Sequence, residues 1–443
     1  MKRIFILGAG RSSTTLIEYL IEESKKNDWQ IIIGEKEPET ALNKFPNAQV
    51  ISFDILDATD ARAKLIDAHL VISMLPASLH IHVALICANF GISMLTASYV
   101  SAEIKNLSRL FQEKGACCIM EMGLDPGVDH MSAMKVLDQI KSAGHQLTSF
   151  ETFTGGLLVD DLKTDNPWHY KFTWNPRNVV LAGMGVVKFI QQGKYKFIPY
   201  HKLFQRTEVI HIPEYGYFEG YANRDSLNYI DTYNLRGIKT LYRGTLRRPG
   251  FCKGWDVFVQ LGATDDSYQL EQVSEMTHRQ FINSFLQYNP DDSVELKLAQ
   301  YLNIGMESDE MYKLKWLGLF EDTPIGLKEG TPAQILEHIL KKKWTLTGKD
   351  RDMIIMWHKF DYLDNGQPKQ IQAHMVVEGE SQLHTAMSKT VGLPLGVTAK
   401  LILQNKLNVT GVQVPTIKEI YEPVLSELES MGFQFIERQM SVK

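Results

Sequence analysis

A glycine-bearing turn follows RIFIL, the first apolar segment of the chain. The turn and the start of the next helical pattern consist of Gly8, Ala9, Gly10, Arg11, Ser12 and Ser13. In a dinucleotide-binding fingerprint, the first glycine permits a tight turn, the second lets the backbone approach a pyrophosphate, and the third allows close helix packing. Ser13 occupies the third position, and a small residue there still packs closely. Because a helix amino terminus attracts anions, the turn predicts a dinucleotide phosphate site.

An acidic residue ends the second apolar segment. Glu35 lies where a carboxylate can accept a hydrogen bond from the adenine-side ribose, and Lys36 follows it. A carboxylate would repel a 2′-phosphate, so Glu35 favours NAD as the cofactor. Lys36 would attract that phosphate, so NADP stays open as the alternative.

Polar or irregular residues also follow the later apolar segments. They are Asp54 after the third segment, Leu75 at the end of the fourth, Ser98 and Tyr99 after the fifth, and Leu124, Asp125 and Pro126 after the sixth. Ligands of parallel α/β sheets bind at the carboxyl ends of the strands. We therefore expect these residues to line the site, with those after the fifth and sixth segments beside the nicotinamide.

These residues are spaced by a regular alternation of six apolar runs and helix-sized segments. The runs are RIFIL, QIIIG, AQVISF, LVISML, GISML and CCIMEM, and the segments between them are Thr14–Glu23, Pro38–Lys44, Ala58–Ile66, Ser78–Asn89 and Ala102–Glu113. Parallel strands need such crossovers and are buried on both faces. The pattern predicts an α/β fold with a Rossmann-type doubly wound parallel sheet.

Longer strands with aromatic and polar alternation follow Met122. MIIMWHKFDY and QIQAHMVVEGE flank Asp364, Asn365 and Gly366, a tight-turn signal that predicts a hairpin. Helical patterns cover SYQLEQVSEMTHRQFINSFL and AQILEHILKKK, the second with Thr331 as its cap and Pro332 in its first turn. Two amphipathic helices and a short strand, GFQFIE, are predicted near the carboxyl end.

The predicted domains follow from these changes of pattern. Residues 1–122 form the dinucleotide-binding domain, completed by about 385–443. Residues 123–264 and 344–384 form an α/β substrate and dimerisation domain, and 265–343 form a mostly helical insertion. A chain of 443 residues is long enough for several such parts.

Composition excludes several functional classes. The 47 Lys and Arg are spread among 52 Asp and Glu, without the basic stripe that nucleic-acid binding requires. The 4 cysteines lack the spacing of a disulfide framework or a metal site, so no metal is predicted. Pro76, His80, His82 and Asn89 interrupt the longest apolar stretch, so no membrane span is expected. With no convincing export signal, we expect a cytoplasmic protein.

Several segments together resemble saccharopine dehydrogenase of the glutamate-forming type, also called saccharopine reductase. They are TASYVS, EMGLDPGVDHM, TGGL, DNPWHYKFTW, NRDSL, RGTLRRPGF, GVTAKLIL and GVQVPT, spread over nearly the whole chain. The resemblance implies reversible, NAD(P)-dependent oxidation of saccharopine to an imine, which water splits into glutamate and 2-aminoadipate 6-semialdehyde in lysine metabolism. It also implies a homodimer, and we expect this chain to perform only that one step.

The resemblance also assigns roles to individual residues. Tyr99 and Asp125 are the candidate catalytic residues, and both are expected to contact substrate or nicotinamide. The remaining candidates for binding the amino-acid substrate are Ser98, Arg224, Thr245, Leu246 and Arg247. The two arginines suit its carboxylates because a guanidinium donates two parallel hydrogen bonds. Trp174 is expected to pack on the cofactor. His130, His169 and Lys171 are candidate proton carriers, but we expect each of them to be a structural residue.

Two other functions remain open at this stage. One is another imine-reducing dehydrogenase, such as a carboxynorspermidine dehydrogenase, whose substrate has fewer carboxylates and more amines. The other is a non-catalytic, dinucleotide-sensing protein, which lost glycines would favour. The retained Gly8 and Gly10 count against the second.

Overall fold

The computed structural model describes residues 1–46, 48–159 and 165–440. The chain divides into two compact units. The first comprises Met1–Gln146 and Met375–Ile436, and the second comprises Leu147–His374 with the residues after Ile436. These divisions differ from the predicted ones at 122 and 385, because the long helix after the sixth strand stays with the first unit.

The first unit contains a parallel sheet. Its strands are β1 (Lys2–Leu7), β2 (Trp29–Glu35), β3 (Gln49–Ser52), β4 (Leu70–Ser73), β5 (Ser93–Leu95), β6 (Cys117–Ile119) and β15 (Gly411–Gln413), in the order β15-β6-β5-β4-β1-β2-β3. Every neighbouring pair is parallel. The predicted doubly wound sheet is confirmed, and β15 is a seventh strand that the sequence analysis missed.

The helices of the first unit join these strands and cover the sheet. They are α1 (Thr14–Lys26), α2 (Pro38–Lys44), α3 (Ala58–Leu65), α4 (His80–Phe90), α5 (Ala102–Lys105), α6 (Ser108–Glu113), α7 (Val128–Ser142), α16 (Ala386–Leu403) and α17 (Lys418–Ser430). Helix α16 packs directly on α1. A Cβ at Gly392 would lie 2.9 Å from the Leu16 backbone nitrogen, so glycine there permits the close approach of the two helices.

The second unit contains a mixed sheet. Its strands are β7 (Gln146–Leu158), β8 (Val186–Gln191), β9 (Lys194–Pro199), β10 (Glu208–Ile212), β11 (Gly216–Ala222), β12 (Thr240–Arg247), β13 (Asp352–Asp364), β14 (Gln367–Glu378) and β16 (Ile436–Met440). The order is β10-β11-β12-β7-β13-β14-β16, with β8 paired to β12 and β9. Asn365 (φ 48°) and Gly366 (φ 81°) form the tight turn between β13 and β14, which confirms the predicted hairpin.

The remaining helices belong to the second unit. They are α8 (Pro176–Val180), α9 (Tyr200–Leu203), α10 (Tyr229–Thr232), α11 (Phe251–Leu261), α12 (His278–Asn283), α13 (Val294–Leu302), α14 (Asp309–Trp316) and α15 (Pro332–Trp344). Thr331 caps α15 through a capping box with Gln334, as predicted. The helical pattern predicted over SYQLEQVSEMTHRQFINSFL is confirmed only in part. Only α12 and one 3-10 turn form there, because Gln272 takes a left-handed conformation and Thr277 caps a new helix.

Candidate active site

The glycine turn after β1 has the geometry that its sequence predicts. Gly8 has a φ of 99°, and a Cβ there would lie 3.1 Å from the Met74 carbonyl oxygen. A Cβ at Gly10 would meet nothing within 4 Å, so the backbone is open to a close approach. The buried Ser13 Oγ donates to the Gly10 carbonyl at 2.8 Å. No side chain caps the 3-10 turn that starts at Arg11. The turn therefore fits a pyrophosphate.

The residues after β2 and β3 are already engaged with one another. Glu35 Oε1 accepts a hydrogen bond from the Ala9 N–H of the glycine turn. Lys36 Nζ lies 2.9 Å from Asp54 Oδ2, and this contact holds the pKa of Asp54 below its usual value. The positive charge of Lys36 is thus partly neutralised, while the Glu35 carboxylate lies against the turn.

Lys44, at the end of α2, is a cation beside the turn that the sequence analysis missed. Its Nζ donates to the Gly10 carbonyl oxygen at 3.1 Å. Burial lowers its pKa. The only sequence signal was a lysine in the last turn of the second helix, and nothing in that position shows that the side chain reaches back to the turn.

His80, in the first turn of α4, forms a second feature that the sequence analysis missed. Its Nδ1 lies 2.9 Å from Ser73 Oγ, and its Nε2 lies 2.7 Å from Ser98 Oγ and 3.3 Å from Thr96 Oγ1. The side chain is buried, and desolvation lowers its pKa to about 4. A neutral imidazole among hydroxyl groups therefore fixes the half-buried Ser98 at the carboxyl end of β5.

The structure brings the two predicted catalytic residues together. The Tyr99 hydroxyl donates to Asp125 Oδ1 at 3.4 Å, and both side chains are half-buried. A Cβ at Gly123 would lie 2.8 Å from the Ala97 Cβ, so glycine lets the loops after β5 and β6 approach. Leu124 and Pro126 are buried in the second loop, and Leu75, after β4, packs on the sheet core.

In the second unit, Arg247 is a buried cation on β12. It is 5% exposed, and it forms no ion pair with any residue in the described parts of the chain. Its guanidinium lies over the rings of Tyr170, Tyr221 and Phe251, at 5.0, 5.9 and 5.2 Å from their centroids. One of its nitrogens donates to the Leu246 carbonyl, but the buried Nε has no acceptor.

The aromatic rings around Arg247 carry two further buried polar atoms. The Tyr170 hydroxyl contacts the half-buried Trp174, and Trp344, whose ring is 5.1 Å from that of Tyr170, has an Nε1 without a hydrogen-bond partner in the described parts of the chain. Buried polar groups are almost always satisfied. A buried cation with an unsatisfied Nε is the arrangement that an anionic ligand would complete.

The two predicted carboxylate ligands are not brought together. Arg224 is exposed with a φ of 52°, just beyond Ala222, which pairs with Gly244 of β12. Arg247 pairs with Glu219 towards the other end of β12. Three residues of strand separate Gly244 from Arg247, or roughly 10 Å, and Arg224 lies beyond the end of β11. Thr245 is half-buried, and the buried Leu246 alternates with Arg247 and so faces the other side of the sheet.

Two of the three candidate proton carriers, Lys171 and His130, are held in structural contacts. Lys171 Nζ binds Asp350 at 2.7 Å. His130 is fully buried, with its Nε2 at 2.8 Å from Glu121 Oε2. His169 has a φ of 47° at the end of a turn that Asn166 begins. In the described parts of the chain, no group of three or more His, Cys, Asp or Glu could hold a metal ion, and no helix is long and apolar enough to cross a bilayer.

Two family models match this chain over most of its length. The model of the saccharopine dehydrogenase NADP binding domain matches residues 4–119, and that of the saccharopine dehydrogenase C-terminal domain matches residues 123–433. The apo structure of saccharopine dehydrogenase (L-Glu forming) from Saccharomyces cerevisiae is similar throughout. It has a TM-score of 0.89, 26% identity and full coverage of both chains.

Curated relatives fall into two size classes. The mitochondrial alpha-aminoadipic semialdehyde synthase of Rattus norvegicus is 31% identical over 98% of this chain, which spans 47% of that protein. The chain thus spans about half the length of the animal relatives that it matches. Saccharopine dehydrogenase [NADP(+), L-glutamate-forming] of Schizosaccharomyces pombe is 28% identical over 99% of both chains.

These matches bear on the predicted cofactor preference. The matched family model is of an NADP-binding domain, and the fungal relative is named for NADP. The preference for NAD that we predicted from Glu35 is therefore not supported. The carboxylate lies on the Ala9 N–H of the glycine turn, a contact that the sequence could not show.

The environment of His80 predicts a pH dependence of stability. Because its pKa is about 4 in the folded protein and about 6.5 in an unfolded chain, unfolding takes up a proton between these values. Neutral His80 makes its full contribution to the free energy of unfolding above about pH 6.5. This contribution decreases by about 3 kcal/mol as the pH falls to 4. The free energy of urea-induced unfolding, measured from pH 7 to 4, should fall less steeply in His80→Gln. Equal slopes would contradict this.

Proposed function

The chain belongs to the saccharopine dehydrogenase family, and we propose that it interconverts saccharopine with glutamate and 2-aminoadipate 6-semialdehyde in lysine metabolism. The observation that carries the proposal is the buried guanidinium of Arg247, which has no carboxylate partner in the described parts of the chain and whose Nε has no acceptor there. Leaving a charge without a partner in a protein interior is unfavourable unless a ligand of opposite charge completes the site. Saccharopine has three carboxylates, and one of them would complete it.

The chemistry around Arg247 favours a carboxylate over an amine. The Arg247 guanidinium has only N–H donors, among them the buried Nε that has no acceptor in the described parts of the chain. Arg247 would repel a cationic substrate group. In the described parts of the chain, no acidic side chain pairs with Arg247 to offset this repulsion. The arrangement therefore supports a carboxylate-rich substrate and counts against carboxynorspermidine, which has more amines.

In the first unit, the glycine turn and the helix start after it would hold the dinucleotide phosphates, and Lys44 lies beside them. A nicotinamide bound there would supply the hydride acceptor for the lysine-derived carbon next to the secondary amine of saccharopine. The amine must also lose a proton, and water must then add to the imine carbon to release glutamate. Tyr99 and Asp125 form a hydroxyl–carboxylate pair suited to orient that amine and the water.

For the cofactor, we propose NADP, with NAD as the weaker alternative. The matched domain and the named fungal relatives support NADP. Lys44 and Lys36 provide nearby positive charge, whereas the Glu35 carboxylate would oppose a 2′-phosphate. Glu35 is thus expected to reduce the difference in kcat/KM between NADP and NAD.

We also propose that the chain forms a homodimer through its second unit. The β8–β9 hairpin leaves one apolar face uncovered, with Val186, Tyr195 and Phe197 at 50, 61 and 61% exposure. The register places these side chains on one side of the hairpin. Burying them against a second copy would remove apolar surface from water.

The activity is tested directly by absorbance of the reduced dinucleotide with saccharopine and either NADP or NAD. We expect turnover with both cofactors and a higher kcat/KM with NADP. Glu35→Ala should raise the NADP-to-NAD ratio of kcat/KM about tenfold, because it removes repulsion from the 2′-phosphate. Absence of glutamate among the products would reject the proposed reaction, and an unchanged ratio would reject the role of Glu35.

Substituting Arg247 should separate stability from activity. Arg247→Met should reduce kcat/KM for saccharopine about 30- to 1,000-fold, because one charge-assisted contact of about 2–4 kcal/mol is lost. It should also raise the free energy of unfolding by about 1–3 kcal/mol, because an apolar side chain replaces an unpaired buried charge.

Two further variants serve as controls. Arg279, in the same unit, forms two hydrogen bonds to Glu295 at 2.9 Å. Arg279→Met should therefore lower stability and leave turnover unchanged. Arg224→Ala tests the second predicted carboxylate ligand and should lower kcat/KM similarly if Arg224 contacts substrate. An Arg247→Met protein that is less stable and equally active would contradict the assignment.

The homodimer is tested by light scattering at micromolar concentration. The wild-type protein should have about twice the chain mass of 50.5 kDa. Tyr195→Glu with Phe197→Glu should give a monomer, because charges are unfavourable in an apolar interface. Val209→Glu changes an exposed apolar residue on β10 and should remain dimeric. A wild-type monomer would reject the proposal.

A further inference from the structure

Glu121 lies just after β6 and contacts both peptide groups that flank Tyr99. Its backbone N–H donates to the Ser98 carbonyl oxygen at 3.0 Å. Its side-chain Oε1 accepts from the Val100 N–H at 3.0 Å. Because these groups belong to the two peptide bonds on either side of Tyr99, Glu121 fixes the backbone from which the Tyr99 side chain projects.

His130 holds the other carboxylate oxygen of Glu121. Its Nε2 lies 2.8 Å from Glu121 Oε2, and both side chains are almost completely buried. Its Nδ1 lies 3.6 Å from Asp129 Oδ2, and Asp129 Oδ1 accepts from the Gly127 N–H at 2.6 Å. A continuous series of buried polar contacts therefore joins the loop that carries Tyr99 to the loop that carries Asp125.

The backbone at Glu121 is unusual for its residue type. Its φ of 58° is in the left-handed region, which costs a residue other than glycine about 1–3 kcal/mol. Glycine or asparagine would take this conformation more easily. A glutamate at this position is therefore explained by what its carboxylate contacts.

We propose that Glu121 is a positioning residue for Tyr99 and that His130 holds its carboxylate in place. The Tyr99 hydroxyl is 3.4 Å from Asp125 Oδ1, so a displaced Tyr99 backbone would break the pair that orients the reacting amine. Displacements of about 1 Å can reduce turnover by about two orders of magnitude. This inference rests on the proposed function, in which Tyr99 and Asp125 contact substrate.

A double-mutant cycle in the full-length protein tests this coupling. Glu121→Ala should lower kcat/KM for saccharopine about 100-fold in the wild-type background and less than about threefold in the Tyr99→Phe background. Glu121→Gln keeps an acceptor for the Val100 N–H and should recover most of the loss. Binding of the reduced dinucleotide, measured by its fluorescence, should change less than about twofold in each variant. Equal losses in both backgrounds, or a matching loss of dinucleotide binding, would overturn the proposal.

A control and a second readout separate positioning from general destabilisation. Glu427, in the same unit, accepts from the Tyr19 hydroxyl at 2.8 Å and pairs with Lys400. Glu427→Gln removes a comparable carboxylate and should leave kcat/KM unchanged. In protein labelled with 3-fluorotyrosine, Glu121→Ala should shift the ¹⁹F resonance that Tyr99→Phe removes. An unshifted resonance overturns the positioning role. Absence of saccharopine turnover in the wild type instead contradicts the proposed function, and the resonance still decides the role of Glu121.

Discussion

A positive charge buried among aromatic rings is the constraint on which this account of function depends. The Arg247 guanidinium contacts three aromatic rings, and its Nε has no acceptor among the residues that the structure describes. Cation–π contacts offset only part of the hydration that is lost. A cation that is only partly hydrogen-bonded among aromatic rings lowers the stability of the protein alone. The same cation favours the binding of a carboxylate. Stability is thus given up at the position where binding is needed.

In the first unit, close packing and hydrogen bonds hold backbone groups and short side chains at the ends of the parallel strands. The loops after β5 and β6 approach closely because residues 97 and 123 are alanine and glycine. Neutral His80 fixes Ser98, and Glu121 fixes the peptide groups around Tyr99. The side chains of His80 and Glu121 are buried next to the sheet, so the polar groups that they position are held by the core of the unit.

Much of this architecture could be predicted from the sequence, because periodicity and turn chemistry are local. The six strands, the glycine turn, the hairpin at Asn365 and the Thr331 cap all follow from short patterns. Strand β15 was missed because three residues are too few to show a hydrophobic period. Its position in the sheet depends on pairing with β6. The helix over α12 was overextended because residues that favour a helix surround a break at Gln272.

The site was predicted in part, for a related reason. The predicted ends of the strands indicated Ser98, Tyr99 and Asp125 as candidates. The contacts of a side chain, however, depend on residues that are distant in sequence. Lys44, His80 and Glu121 therefore gave no usable signal. Arg224 and Arg247 looked equivalent in sequence, and only the register of β12 and the burial of each side chain distinguish them.

The most direct test of the central claim is a crystal structure of the protein with saccharopine and a nicotinamide dinucleotide. We expect a substrate carboxylate within hydrogen-bond distance of Arg247 Nε, with the Tyr170 hydroxyl or Trp344 Nε1 donating to the same group. A bound saccharopine whose carboxylates all lie elsewhere, with Arg247 Nε still lacking an acceptor, would contradict it.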